Sequence, residues 1–217
     1  MPQKPLSIVI LISGKGSNLQ AIIDAIKTGL SVNILSVISN KPDAMGLARA
    51  KRAEIPTKII SHRDYLTKDD FEAALMQAID HYAPELIVLA GFMRTLSAKF
   101  VRHYQRHIIN IHPSLLPKYK GLHTHRSALA AGDSEHGVSV HYVTEAVDSG
   151  PIICQAKLTV LPNDTEESLQ ARVHQIEHKV YPEVLSWMAT GRIELRDNTV
   201  FFDGKALPKS GKLFETK

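Results

Sequence analysis

Short apolar runs alternate along the chain with segments whose apolar residues recur every three or four positions. Continuous apolar runs are typical of strands buried on both faces, and the second spacing is typical of helices with one buried face. In the first half of the chain the predicted strands lie at about 7–12, 34–38, 58–60, 86–90 and 107–111. The predicted helices between them lie at about 18–27, 44–54 and 68–81. This alternation predicts right-handed βαβ units and a Rossmann-like α/β fold with a mostly parallel, twisted sheet.

The pattern changes after Gly121. A short predicted helix at about 126–131 is followed by two runs rich in β-forming residues, 138–143 and 152–160. The sequence Asp148-Ser149-Gly150-Pro151 joins these runs and is typical of a turn. We therefore predict an antiparallel pair of strands at the C-terminal edge of the sheet.

The end of the chain contains one long helix and a tail. The helix is predicted to begin near Asp164, whose side chain can cap it, and 191–217 is expected to form a short hairpin and a polar tail. No repeat or linker interrupts the pattern, so residues 1–217 are expected to form a single domain. Its two halves would cover about 6–105 and about 106–190.

Composition and charge restrict the class of protein. A net charge of +4 suits small anionic ligands such as phosphates and carboxylates. Aromatic residues make up only 6% and no run of five basic residues occurs, so a nucleic-acid partner is not predicted. The single cysteine, Cys154, allows no internal disulfide and fits a reducing compartment. The apolar stretch at 6–12 is too short to span a membrane, so we expect a cytoplasmic protein.

A glycine-containing turn, Ser13-Gly14-Lys15-Gly16-Ser17-Asn18, lies between the first predicted strand and helix. Glycines allow a tight turn, and the N–H groups at the start of a helix can bind an anion. Leu19 occupies the third position of a GxGxxG motif and no GK[ST] sequence follows, so neither a dinucleotide nor a nucleoside triphosphate is indicated. Phosphate binding and a purely structural turn are equally compatible with these residues.

Asn110 and His112 lie two positions apart at the end of a predicted strand, so their side chains point to the same side. Open α/β sheets bind ligands at the carboxyl ends of their strands. An amide donor beside an imidazole suits acyl-type transfer, in which an oxyanion develops. Taken alone, these residues are explained at least as well by a histidine that completes a loop hydrogen bond.

Three further features have both a structural and a functional interpretation. Asp148 is either a turn former or the carboxylate that orients His112 and favours its protonated form. The segment 90–96 follows another strand and either lines the same crevice or packs in the core. His123 and His125 could join His112 in a zinc site, but no further ligand is evident and we predict no metal.

Five segments together resemble the folate-dependent glycinamide ribonucleotide formyltransferases (phosphoribosylglycinamide formyltransferases) of purine biosynthesis. They match in order and spacing and read LISGKGSNLQAII, VLAGFMRTLS, NIHPSLLPKYKGLHTHRSAL, HGVSVHYV and DSGPII. Each segment alone is a weak signal, but the set is highly specific. The resemblance extends from about Leu6 to beyond Trp187, which is nearly the whole chain.

The resemblance implies a formyltransferase fold, in which a Rossmann-like sheet binds no dinucleotide, and a reaction. The formyl group of 10-formyltetrahydrofolate, a co-substrate, would pass to the amine of glycinamide ribonucleotide in the synthesis of IMP. Asn110 and a protonated His112 would donate to the oxyanion of the tetrahedral intermediate, and Asp148 would keep His112 charged. The partners would be small molecules only, and the protein a monomer or a weak homodimer without a metal.

The resemblance also implies binding residues. The phosphate and sugar of glycinamide ribonucleotide would contact Gly16, Ser17, Asn18 and Glu177. The folate ring would lie among Leu89, Leu96, Phe100, Ile108 and Val143. Its polar edge would meet Asn110, the loop that ends at Asp148, and the backbone of Met93, Arg94, Thr95 and Leu96. Lys68 would lie near the folate's glutamate tail.

Other functions remain as alternatives. Formyltetrahydrofolate hydrolase shares the Asn-x-His core and uses water as acceptor, but normally has an additional N-terminal regulatory domain, which is not expected here. Methionyl-tRNA formyltransferase needs a C-terminal tRNA-binding domain, for which we find no room. A non-catalytic nucleotide-binding module leaves Asn110, His112 and Asp148 unexplained as a set. A metal-dependent hydrolase would have to use His112, His123 and His125.

Overall fold

The first strand, β1 (Leu6–Ile12), is built from residues that are apolar almost throughout. Ile8, Ile12 and the three residues between them are fully buried, as expected of a central strand in a parallel sheet. The structure is a computed structural model that describes residues 4–215. It divides the chain into two compact units, one ending at Ile109 and the other beginning at Asn110.

The first unit alternates strands and helices as the sequence predicts. After β1 come α1 (Ser17–Lys27), β2 (Val32–Ser39), α2 (Met45–Arg52), β3 (Thr57–Ile59), a 3₁₀ turn (His62–Asp64), α3 (Lys68–Tyr82), β4 (Leu86–Leu89) and α4 (Ala98–His103). The next strand, β5 (Ile108–His112), contains the boundary between the units.

The sheet of the first unit is parallel, and β1 lies between β2 and β4. The chain runs from β1 through β2 to β3 on one side, and then returns to place β4 on the other side of β1. The carboxyl ends of β1 and β4 therefore form a topological switch point, where open α/β sheets bind their ligands. Both the glycine-containing turn and the segment 90–96 begin there.

The second unit continues with α5 (Thr124–Ala130), β6 (Glu135–Tyr142), β7 (Ile152–Thr159), α6 (Glu166–Ala189), β8 (Ile193–Arg196), β9 (Thr199–Phe202), β10 (Lys205–Ala206) and β11 (Lys212–Phe214). β6 and β7 are antiparallel, which confirms the predicted pair at this edge. β8, β9 and β10 form a small antiparallel sheet of their own. Parallel strands with intervening helices and an antiparallel edge confirm the predicted α/β class.

Several local predictions were wrong. Helix α6 is capped by Thr165, which forms a reciprocal capping box with Ser168, and not by Asp164. Asp164 instead accepts a hydrogen bond from the Leu161 amide and pairs with Arg172 at 2.5 Å. No strand was predicted in the polar tail after its hairpin, but β11 pairs in parallel with β7. Helix α4 was missed because it is too short to show a helical period.

Candidate active site

Strand β5 places Asn110 and His112 on one side of its carboxyl end, because side chains two positions apart in a strand share a face. His112 is 5% exposed, and Asn110 is half-buried. The Nε2 atom of His112 lies 2.8 Å from the carbonyl oxygen of Tyr119. A carbonyl only accepts, so Nε2 carries the proton and donates it to this oxygen.

The connection between β6 and β7 brings Asp148 to the other nitrogen of the ring. Its Oδ2 lies 3.4 Å from Nδ1 of His112 and accepts a hydrogen bond from the Gly121 amide at 2.8 Å. Asp148 has a φ of +46°, a left-handed conformation that aspartate tolerates better than most residues. Asp148 is therefore a turn residue and also the carboxylate beside His112.

His141, on β6, completes the group and was missed in the sequence. Its Nδ1 donates to the Tyr142 carbonyl at 2.9 Å. Its Nε2 lies 3.3 Å from Asn110 Nδ2 and 3.5 Å from Asp148 Oδ1, and the side chain is 2% exposed. The only signal in the sequence was a histidine at an inward position of an apolar strand. Such a histidine is as typical of a hydrogen-bonded core residue as of a functional one.

Charge and burial act against each other in this group. Burial alone would raise the pKa of Asp148, but its contact with His141, the hydrogen bond from the Gly121 amide and the neighbouring His112 hold this pKa below its ordinary value. Burial lowers the pKa of His112, and the Tyr119 carbonyl and the Asp148 charge oppose that shift only in part. Asp148 thus favours the imidazolium, and burial opposes it.

A second pair of histidines lies in the same unit. Nδ1 of His125, at the start of α5, is 3.1 Å from Nε2 of His136 on β6. Burial, reinforced by the nearby His136, lowers the pKa of His125 to about 4, and burial also lowers the pKa of His136. Within residues 4–215, no three histidine, cysteine or acidic side chains are grouped so that they could hold a metal ion.

The glycine-containing turn lies in the first unit, between β1 and α1. Gly16 precedes α1 with a φ of +69°, and a Cβ there would lie 2.6 Å from the Cα of Gly46. Only glycine fits both the backbone conformation and this close approach. The turn therefore opens directly onto the N-terminus of α1, where Ser17 and the buried Asn18 follow.

Most of the expected folate residues of the first unit lie between the end of β4 and the start of β5. Leu89, Leu96, Phe100 and Ile108 are buried, while Met93 is 67% exposed and Thr95 is exposed. The Arg94 guanidinium lies over the Phe71 ring, 5.3 Å from its centroid. Lys68 pairs with Glu72 at 3.7 Å, and the same carboxylate accepts the Ser97 amide at 2.9 Å.

Two expected binding residues belong to the second unit. Val143, just after β6, is half-buried, and Glu177, on α6, is 4% exposed. A cavity of about 400 Å³ adjoins Asp148 and extends to the turn between β8 and β9.

No helix in residues 4–215 is both long and apolar enough to cross a membrane.

Comparisons with known proteins show the family of this chain. The family described as Formyl transferase matches residues 6–185. The phosphoribosylglycinamide formyltransferase of Escherichia coli K12 is 52% identical over 207 residues, which cover 95% of this chain and 98% of that protein. The solved structure of the phosphoribosylglycinamide formyltransferase from Coxiella burnetii superposes with a TM-score of 0.94 at 61% identity, over 97% of this chain and 100% of that one.

A formyltetrahydrofolate deformylase from Pseudomonas putida has the same fold at lower identity. Its structure superposes with a TM-score of 0.83 at 29% identity and covers 93% of this chain but 71% of that chain. The fold is therefore shared by proteins whose names describe formyl transfer and deformylation.

Proposed function

The chain belongs to the formyl transferase family, and on this basis we propose that it is the folate-dependent enzyme that formylates glycinamide ribonucleotide. The formyl group of 10-formyltetrahydrofolate passes to the substrate amine, giving formylglycinamide ribonucleotide and tetrahydrofolate in purine (IMP) synthesis. The observation that carries the proposal is the contact of His112 with Asp148, next to Asn110, in a chain that is similar to such enzymes over almost its full length.

The chemistry is attack of the amine on the formyl carbon. A tetrahedral intermediate forms, its bond to the folate nitrogen then breaks, and the amine proton passes to that nitrogen through water. Asn110 Nδ2 and His112 Nε2 are the two donors for the oxyanion. His112 Nε2 donates to the Tyr119 carbonyl, so in the reaction the oxyanion replaces that carbonyl as its acceptor.

Asp148 supports the charge that develops on His112. A negative oxyanion beside the ring and the Asp148 carboxylate on its other side both raise the pKa of His112, against the effect of burial. A charge-assisted hydrogen bond is roughly twice as strong as a neutral one. His112 thus donates its strongest hydrogen bond when the tetrahedral intermediate forms. An interaction that is stronger in the transition state than with the bound substrate lowers the barrier.

The substrates are assigned to segments of the chain. The phosphate and ribose of glycinamide ribonucleotide are assigned to Gly16, Ser17, Asn18 and Glu177. The folate is assigned to Lys68, Leu89, Met93, Arg94, Thr95, Leu96, Asn110, Val143 and Asp148. The helix N-terminus that follows the glycine turn supports the phosphate assignment. The proposal includes no metal, and it describes a cytoplasmic monomer or weak homodimer.

The competing function is deformylation, in which water replaces the amine, and one assay separates the two. Release of tetrahydrofolate from 10-formyltetrahydrofolate is followed spectrophotometrically with and without glycinamide ribonucleotide. We expect release that depends on the amine and saturates with it. Equal release in its absence would instead identify a hydrolase.

A further inference from the structure

Ser13 is a buried polar residue to which the proposed mechanism assigns no role. It directly follows β1 and is 4% exposed. Its hydroxyl donates to Asn40 Oδ1 at 2.5 Å and accepts from the Met93 amide at 2.8 Å. Its own amide donates to the Gly91 carbonyl at 3.0 Å. A serine hydroxyl has a single proton, so the bond to Asn40 fixes its direction and aims a lone pair at Met93.

These bonds lie at the topological switch point of the first unit. Asn40 follows β2 and Met93 follows β4, the two neighbours of β1. One hydroxyl therefore connects the carboxyl ends of three adjacent strands. The next residue, Gly14, begins the glycine-containing turn, and its carbonyl accepts from the Gly46 amide at 3.0 Å.

We infer that Ser13 is a positioning residue, whose hydroxyl holds the segment at Met93 in a fixed place relative to the glycine-containing turn. The inference rests on the proposed function, because these two segments are the ones assigned to the folate and to the ribonucleotide phosphate. Ser13 itself touches neither substrate. The Met93 N–H donates to the Ser13 hydroxyl, and this hydrogen bond fixes the conformation of the loop.

Loss of the hydroxyl removes the partner of both neighbours at once. The Met93 amide and the Asn40 side-chain oxygen can regain partners only when the segment shifts, because a buried polar group without a partner is costly. Such a shift moves the backbone that faces the folate, and small displacements of binding groups have large effects on catalysis. Loss of the Ser13 hydroxyl should therefore weaken substrate binding more than it slows the chemical step at His112.

The matched control is Ser7, at the amino end of the same strand. Its hydroxyl also bridges two partners, donating to Glu85 Oε2 at 2.7 Å and accepting from the Glu85 amide at 3.2 Å. The two serines thus make similar bonds at opposite ends of β1. Ser7→Ala and Ser13→Ala are both expected to lower the melting temperature.

Only Ser13→Ala is expected to raise the Michaelis constants. We expect an increase on the order of tenfold for 10-formyltetrahydrofolate and a smaller increase for glycinamide ribonucleotide, with kcat within about twofold. Ser7→Ala should leave both constants unchanged. Michaelis constants within twofold of wild type for Ser13→Ala, or an equal change in Ser7→Ala, overturn the inference.

A second measurement does not depend on the enzymatic activity. Exchange of the Met93 amide proton, followed by NMR, should be faster in Ser13→Ala and unchanged in Ser7→Ala. If the wild-type protein does not formylate glycinamide ribonucleotide, the proposed function fails, and this exchange still decides whether Ser13 anchors the segment. If Ser13→Ala does not fold, Asn40→Ala removes the acceptor of the same proton, and unchanged Michaelis constants in that variant refute the inference.

Discussion

At the scale of single residues, the site depends on one imidazole placed between two acceptors. Nε2 of His112 donates to a carbonyl, and Nδ1 faces the Asp148 carboxylate at 3.4 Å. A neutral ring has one proton for these two positions, whereas an imidazolium has two. Burial opposes that second proton and lowers the pKa of His112. In the proposed mechanism, the carboxylate is therefore the side chain that favours protonation of this ring during the reaction.

Asp148→Asn tests this role. We expect kcat to fall by about a hundredfold or more, since loss of a single oxyanion donor has an effect of that order elsewhere. The Michaelis constant for glycinamide ribonucleotide should change little, because its phosphate is assigned to a separate segment. Stability should also change little, because asparagine accepts a left-handed φ and retains an oxygen for the Gly121 amide. Steady-state kinetics across pH and thermal unfolding provide the measurements.

Asp197→Asn is the control for that substitution. Asp197 also occupies a turn with a left-handed φ, +43°, and is exposed. Its substitution should alter neither kcat nor the melting temperature. A near-normal kcat in Asp148→Asn would show that Asp148 is only a turn residue, and a large fall in melting temperature would show that its role is mainly structural.

At the scale of elements, the passage from β1 into α1 combines several constraints in a few residues. Gly16 turns the chain with a positive φ and lies against Gly46, the second residue of α2. A Cβ on Gly46 would in turn lie 2.6 Å from Cδ1 of Ile12. Two helices and a strand therefore meet through glycines. The same contact leaves the N-terminus of α1 beside the turn.

Gly16→Ala is expected to lower both stability and affinity for the ribonucleotide. The left-handed backbone costs about 1–2 kcal/mol for a residue with a Cβ. The contact with the Gly46 backbone adds roughly 1–3 kcal/mol of strain. Denaturant unfolding measures the free energy, and the Michaelis constant for glycinamide ribonucleotide should rise in parallel.

Gly132→Ala separates the two effects. Gly132 has nearly the same φ, +67°, but nothing within 4 Å of an added Cβ. This variant should lose only the backbone contribution and keep a normal Michaelis constant. Equal destabilisation of the two variants would show that the close approach of Gly16 to Gly46 does not contribute to the loss of stability in Gly16→Ala.

At the scale of the whole molecule, stability depends on pH through buried histidines. His125 and His136 are 6% and 1% exposed and lie within hydrogen-bond distance, so at least one of them is neutral in the folded protein. The pKa of His125 is lowered to about 4 by burial first and by His136 second. An unfolded histidine has a pKa near 6.5 and binds its proton at a higher pH.

We therefore expect the free energy of unfolding to fall on acidification. The stabilisation from neutral His125 is complete above about pH 6.5, decreases below it, and is lost by about pH 4. The full effect is on the order of 3 kcal/mol for a shift of this size. Urea unfolding at pH 7 and pH 5 should show a lower midpoint at pH 5.

His125→Gln should reduce this difference between the two pH values, because the glutamine side chain does not titrate. His103→Gln is the control, since that side chain is 44% exposed and pairs with Asp80 at the surface. It should keep the wild-type difference. An unchanged difference in His125→Gln would exclude His125 as its source.

Much of the fold could be predicted because it follows from local patterns. β1, β4 and β7 begin and end within one residue of their predicted positions, and the glycine turn lies between β1 and α1 as predicted. β6 begins three residues earlier than predicted. The errors occurred where a local signal was short or ambiguous. Helix α4 has six residues, and Asp164 and Thr165 are equally plausible caps in sequence. Strand β11 depends on β7, which lies far away along the chain.

The sequence by itself determined the α/β class, the shared face of Asn110 and His112, and the turn that holds Asp148, because these depend on residues close together in the chain. The family resemblance added the pairing of Asp148 with His112. Only the tertiary structure decided that His141 joins them, which nitrogen of His112 faces the carbonyl, and that Ser13 connects three strand ends. It also decided the direction in which the pKa of His112 is shifted, because this pKa balances desolvation against contacts made across long separations in sequence.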